Sequence, residues 1–134
     1  MEINEVSGHI VDVAYQMHNE LGPAQKAYQR VMKRQLEQRG LRVEVQKSVD
    51  MVYRGLAVQD AFRVDLLVEG VVVVELKSTA AMAGVHQRQL LTYVRFMDLR
   101  VGLLINFGAE TWGRTVKRIA NDAPDLKPLR EAPP

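Results

Sequence analysis

Asp65, Glu75 and Lys77 are two carboxylates and an amine within thirteen residues of each other. Glu75 and Lys77 are two positions apart, so in a strand both point to the same side. Asp65 lies about five residues before the centre of the turn signal Glu69-Gly70, and Glu75 about five after it. An antiparallel hairpin closed at that turn brings Asp65 and Glu75 roughly opposite each other. Two carboxylates facing across adjacent strands repel unless a cation joins them. An all-oxygen donor set suits Mg²⁺ or Mn²⁺. Lys77, on the same face, can offer a positive charge to a hydroxide or a phosphate. The same spacing also arises by chance from exposed strand charges. Against that, Glu75 interrupts the apolar run VVVVEL and Asp65 sits in AFRVDLLV. A charge in an interior strand is costly unless it is paired or holds a metal.

These residues need a scaffold, and the hydrophobic periodicity supplies one. Ile3, Val6, Ile10, Val13, Met17 and Leu21 recur at steps of three or four, which predicts a helix over 3–21 stopped by Gly22-Pro23. A second helix is expected from about Pro23 to Gly40. Tyr28, Val31 and Gln35 mark one of its faces, and Lys26, Arg30, Lys33, Arg34 and Arg39 the other. After Gly40 the period becomes two: Leu41, Val43 and Val45 alternate with Arg42, Glu44 and Gln46. Arg54-Gly55 reads as a tight hairpin turn between Val52-Tyr53 and Leu56-Ala57-Val58. Residues 61–68 form a stronger strand, and 71–76 a central strand buried on both faces. Residues 84–97 return to a helical period, 101–105 is a short apolar strand, and TVKRIA is read as an edge strand rather than a short helix. The end carries four of the five prolines. The order predicts an α/β fold with a mixed sheet, antiparallel at its start and flanked by helices. One domain over 1–120 and a loose tail over 121–134 are expected.

The chain has 134 residues, 47% hydrophobic and 25% charged, which is ordinary globular usage and excludes wholesale disorder. The absence of cysteine excludes a disulfide scaffold, a thiolate nucleophile and a Cys-based zinc site. No apolar run approaches the roughly 20 residues of a membrane span, and MEINEVSGHIVDV lacks the basic start of a signal peptide. A soluble, cytoplasmic protein is the expectation. The net charge of +2 is unevenly spread: residues 16–47 and 79–118 are each +4, and the segment 48–78 between them is −2. An acidic middle between basic flanks suits a metal centre beside a polyanion surface; solvated helix faces give the same count.

Asp65-x9-Glu75-x-Lys77 resembles the core motif of the PD-(D/E)XK nuclease superfamily, and Gln89-Leu-Leu-Thr-Tyr93 resembles the Q-x-x-x-Y motif of its RecB-like branch. Within that superfamily the chain is similar to the GxxExxY family. The matching stretches are His18–Pro23, Tyr28 with the run to Leu41, Phe62–Val68, Val74–Lys77, His86–Tyr93 and Gly102–Phe107, in family order. One position departs: Gln25 stands where that family has Glu, which keeps size and hydrogen bonding and loses the charge.

The resemblance implies a restriction-endonuclease-like core. It implies that Asp65, Glu75 and the Leu76 backbone carbonyl hold Mg²⁺ or Mn²⁺, with His18 as a further metal candidate. The ion would polarise a scissile phosphate and acidify a bound water. Lys77 would orient that water and steady developing charge. Gln89 and Tyr93, four apart on one helix face, would touch nucleic acid or brace the site. Gln25, Tyr28, His86 and Arg88 are candidates for nucleic-acid contact, DNA before RNA. A homodimer pairing through the apolar terminal strand is one expected assembly. Three functions compete: a metal-dependent nuclease, a weak or inactive nuclease-fold module that binds nucleic acid or a protein partner, and a structural subunit storing an ion.

Overall fold

The strands join into one five-stranded sheet in the order β1-β2-β3-β4-β5, formed by Val43–Tyr53, Leu56–Val68, Val72–Lys77, Val101–Asn106 and Val116–Ala120. These positions come from a computed structural model that describes residues 1–121. Neighbouring strands are antiparallel except β3 and β4, which run parallel. Helix α3, Gly84–Phe96, makes the crossover that a parallel pair requires. Helices α1, Ile3–Glu20, and α2, Lys26–Gln38, precede the sheet. The expected mixed sheet flanked by helices is therefore observed, with TVKRIA as its edge strand.

Turn chemistry closes both hairpins. Arg54 and Gly55 have φ of 49° and 84°, and Glu69 and Gly70 have 54° and 66°. Between Tyr53 and Leu56, positive φ at both central residues is the two-residue turn that matches strand twist. Between Val68 and Val72 the same pair of left-handed residues is followed by Val71, a three-residue connection. The two apolar clusters lie on opposite faces of the sheet. Val72, Val74 and Leu76 of β3 pack with α1 and α2, and Val73 packs with Leu90 and Val94 of α3. This two-sided burial accounts for the apolar run at the start of β3, as its composition implies.

Two helix details differ from the sequence reading. The buried stripe of α2 is Tyr28, Met32 and Leu36, at i, i+4 and i+8, with Val31 and Gln35 half-buried beside it. Helix α2 also begins at Lys26 rather than at Pro23, because the segment ahead of it is held as a loop: the Tyr28 hydroxyl donates to the Gly22 carbonyl. Its end is as expected. Gly40, at φ 88°, donates to the Glu37 carbonyl, and Leu41 donates to that of Leu36, which is the Schellman stop. Helix α1 instead ends where Leu21 turns extended, so Gly22 is not a left-handed cap. Asn121, the first residue of the expected tail, is buried and tied to the Arg100 carbonyl at 2.7 Å and the Leu99 carbonyl at 3.0 Å. The rest of that tail, 122–134, lies outside the described residues.

Candidate active site

The regular β2/β3 ladder pairs Val68 with Val72, Leu67 with Val73 and Leu66 with Val74, and it stops there. Continuing this register sets Asp65 opposite Glu75. At that point the two carboxylates replace backbone carbonyls as acceptors. The Asp65 N–H donates to Glu75 Oε2 at 2.6 Å, and the Leu76 N–H donates to Asp65 Oδ2 at 2.8 Å. The strands are thus laced together by the side chains that the sequence singles out.

Asp65 also marks a slip in the side-chain alternation. Leu66 and Val68 pack towards α1 and α2, whereas Phe62 and Val64 pack towards α3. Positions 64 and 66 would share a face in an unbroken strand. Strand β1 slips beside it: Val43 and Val45 face α1 and α2, and Val49 faces α3. Gln46 lies at the slip with φ 53°, a left-handed conformation that costs a non-glycine residue about 1–2 kcal/mol. Its amide is delivered to the site. Gln46 Nε2 donates to Asp65 Oδ1 at 3.2 Å and to Gln29 Oε1 at 2.8 Å. Gln29 Nε2 in turn donates to Asp65 Oδ1 at 3.1 Å.

Glu75 is 6% exposed. Burial, and then the charge of Asp65, push its carboxyl up to about 7 from the ordinary 4.5. Burial raises Asp65 as well, opposed by the Leu76 and Gln46 hydrogen bonds and by Lys77. Among the described residues no Lys or Arg forms an ion pair with either acid. Lys77 is half-buried, and its charge favours the ionised form of both. The phenol of Tyr93 is raised by burial, then by the charges of Glu75 and Asp65, while a hydrogen bond from Gln89 lowers it. The Tyr93 ring stacks on Phe62 with centroids 4.2 Å apart. Asp65 and Glu75 thus interlock directly, Lys77 and Tyr93 lie within electrostatic reach of both, and Gln89 bonds Tyr93.

The donor chemistry suits a hard divalent cation. Each carboxylate has about four lone-pair sites, and the hydrogen bonds leave some of them free. Leu76 sends its N–H to Asp65, whereas the Lys77 carbonyl accepts from Phe107 N–H on the β4 side at 2.9 Å. Alternation along the strand therefore turns the Leu76 carbonyl towards Asp65. Among the described residues no three His, Asp or Glu side chains gather as a metal cluster, so a cation here relies on two carboxylates, backbone oxygen, water and substrate.

Other predicted residues stand apart. His18 Nε2 bonds the Ala109 carbonyl at 3.0 Å, and its ring lies 5.8 Å from that of Trp112. Tyr28 is buried edge-on against Phe107, centroids 4.9 Å apart. Gln25 is exposed at the start of α2, lining a cavity of about 410 Å³ with Lys26, Gln29 and Gln46. His86 is half-buried at the start of α3, and Arg88 is exposed on it. A cavity of about 860 Å³ lies beyond the ends of β3 and β4, beside Asn106, Gly108, Arg114 and Lys117, and does not include the acidic pair.

Sequence reasoning missed Gln29, Gln46 and Asn106. Gln29 stands one turn after Gln25, a signal that was present; Gln46 looks like any outward polar residue of an alternating strand. Asn106 is buried and binds both the N–H and the carbonyl of Thr79, at 2.9 and 3.0 Å, fixing the loop that follows Lys77. Gly108 closes the same junction, since a Cβ there would lie 2.4 Å from the Thr79 carbonyl oxygen. Gly108→Ala is expected to lower stability by about 1–3 kcal/mol, read by thermal melting. An unchanged melting temperature would show that the loop can give way.

A mixed sheet with helices on both faces, laced by an acidic pair at the end of its antiparallel ladder, is the restriction-endonuclease-like arrangement. The family model of the PD-(D/E)XK nuclease superfamily matches residues 4–119. The chain belongs to that superfamily, whose nucleases generally use divalent metals. No match is found among curated proteins or solved structures. No helix among the described residues is long and apolar enough to cross a membrane.

Proposed function

We propose that this protein is a Mg²⁺- or Mn²⁺-dependent nuclease that hydrolyses phosphodiester bonds, with DNA as the first substrate to test and RNA the second. Its closest family reading is the GxxExxY branch. The observation that carries this reading is the interlocked Asp65–Glu75 pair: a half-buried and a buried acid on adjacent strands, without an ion-paired Lys or Arg among the described residues. Holding two like charges there is unfavourable for the protein alone and favourable for binding a dication. When bound, the cation supplies Lewis-acid polarisation of the phosphate and a more acidic water. Asp65, Glu75 and the Leu76 carbonyl would hold it. Lys77 steadies negative charge developing on the phosphate. Gln89 orients the Tyr93 hydroxyl, and the Phe62 stack holds that ring against the site.

The test is a Mn²⁺ titration by calorimetry on wild type and Asp65→Ala, followed by labelled single- and double-stranded DNA and RNA with and without EDTA. Wild type is expected to bind and cleave, and Asp65→Ala to do neither. A second reading, a nucleic-acid-binding module of weak activity, is favoured by one feature: the α2 side chain at Asp65 is the neutral Gln29 rather than a carboxylate. That reading predicts salt-sensitive binding without turnover.

A further inference from the structure

Asp65 Oδ1 receives two amide donors from different elements, Gln29 on α2 and Gln46 on β1. The two amides are also ordered relative to each other. Gln46 Nε2 donates to Gln29 Oε1 at 2.8 Å, so the Gln29 amide has one orientation, with its NH₂ towards Asp65. With Oδ2 fixed by the Leu76 N–H at 2.8 Å, the carboxylate is held at both oxygens. Gln29 is 8% exposed, and rotamer freedom is small at a buried position. Gln46 is held in the left-handed region at φ 53°, where glycine would be the easier residue. A side chain kept at a strained backbone position points to a task for that side chain.

We infer that Gln29 and Gln46 are positioning residues that set which lone pairs of Asp65 face a divalent cation. The inference rests on the nuclease reading above and deepens it. Neither amide is a catalytic residue; both act through Asp65. A merely structural Gln46 makes the opposite prediction for one substitution. Gln46→Gly relieves the backbone, so the melting temperature in EDTA should hold or rise. The amide is lost, and Mn²⁺ affinity by calorimetry should fall about tenfold, the low end for partners of metal ligands. Gln29→Met keeps the size and removes the amide, with a similar loss expected. The double variant should lose little more than either single change, because Gln46 acts partly through Gln29.

Mn²⁺ affinity within twofold of wild type in Gln46→Gly would overturn the inference while leaving the nuclease reading standing. So would affinity losses that appear only together with a lowered melting temperature in both variants. Wild type that binds no Mn²⁺ would overturn both.

Discussion

Glu75→Gln is expected to abolish Mn²⁺ binding and cleavage while making the metal-free protein more stable at pH 8. Glu75 is pushed up to about 7 by burial and by Asp65, against 4.5 for a free glutamate. The folded chain therefore keeps a proton that the unfolded chain releases near 4.5. Between pH 4.5 and about 7 the native state binds more protons, so stability falls as pH rises. At 1.36 kcal/mol per unit, the contribution lost by pH 8 is about 3 kcal/mol. Asp65, also raised by burial, pulls in the same direction from its own ordinary value of 3.8. A glutamine keeps the shape and an oxygen for the Asp65 N–H, and it carries no charge to desolvate. Melts in EDTA from pH 5 to 8 should fall for wild type and stay flatter for the variant, which ends above it. Mn²⁺ at one hundred times its Kd should return about 2.7 kcal/mol to wild type at pH 8 and nothing to the variant. Cleavage should drop by on the order of 100- to 1,000-fold or more. A variant less stable than wild type at pH 8 would mean that Glu75 is not held at electrostatic cost, and the case for a cation site would fail with it.

That cost was legible in the sequence, because its causes are local. VVVVEL is an interior strand by composition, Glu69-Gly70 is a turn signal by chemistry, and counting about five residues outwards from it sets Asp65 roughly opposite Glu75. The observed ladder ends one step short of that pair, at Leu66 and Val74, and the two carboxylates bridge the strands at the next step. The Gln89–Tyr93 helix face was legible for the same reason, since four residues is one turn. The slip at Gln46 and Asp65 was not. An alternating segment such as LRVEVQ gives no sign of where its phase will break, and the break depends on two strands and α2 meeting at one carboxylate. Val31 and Gln35 fit the α2 stripe less well than Met32 and Leu36 because the sheet, not the helix, decides which side is inward. His18 fits a metal by residue type alone; the loop after β4, unreadable from periodicity, offers it the Ala109 carbonyl instead. What the sequence conveyed was spacing within elements, and what it withheld was contact between elements far apart in the chain.

Lys77 separates chemistry from binding. Lys77→Met is expected to reduce cleavage by about 100- to 1,000-fold while leaving a Mn²⁺ site in place, with an affinity change whose sign depends on pH. Two effects oppose each other. The ammonium repels an incoming dication, so removing it tightens binding. It also favours the ionised forms of Glu75 and Asp65, so removing it lets protons compete better. At pH 8, above the value of about 7 for Glu75, that carboxylate is already mostly ionised in wild type and the loss of repulsion dominates. At pH 6 the proton is the stronger competitor, and the variant should bind Mn²⁺ more weakly than wild type. Calorimetry at the two pH values, beside a cleavage assay, reads this crossover. Full activity in the variant would remove Lys77 from the mechanism. Loss of Mn²⁺ binding at pH 8 would show instead that Lys77 acts by holding the end of β3 in place, and the charge-stabilising role would then have no support.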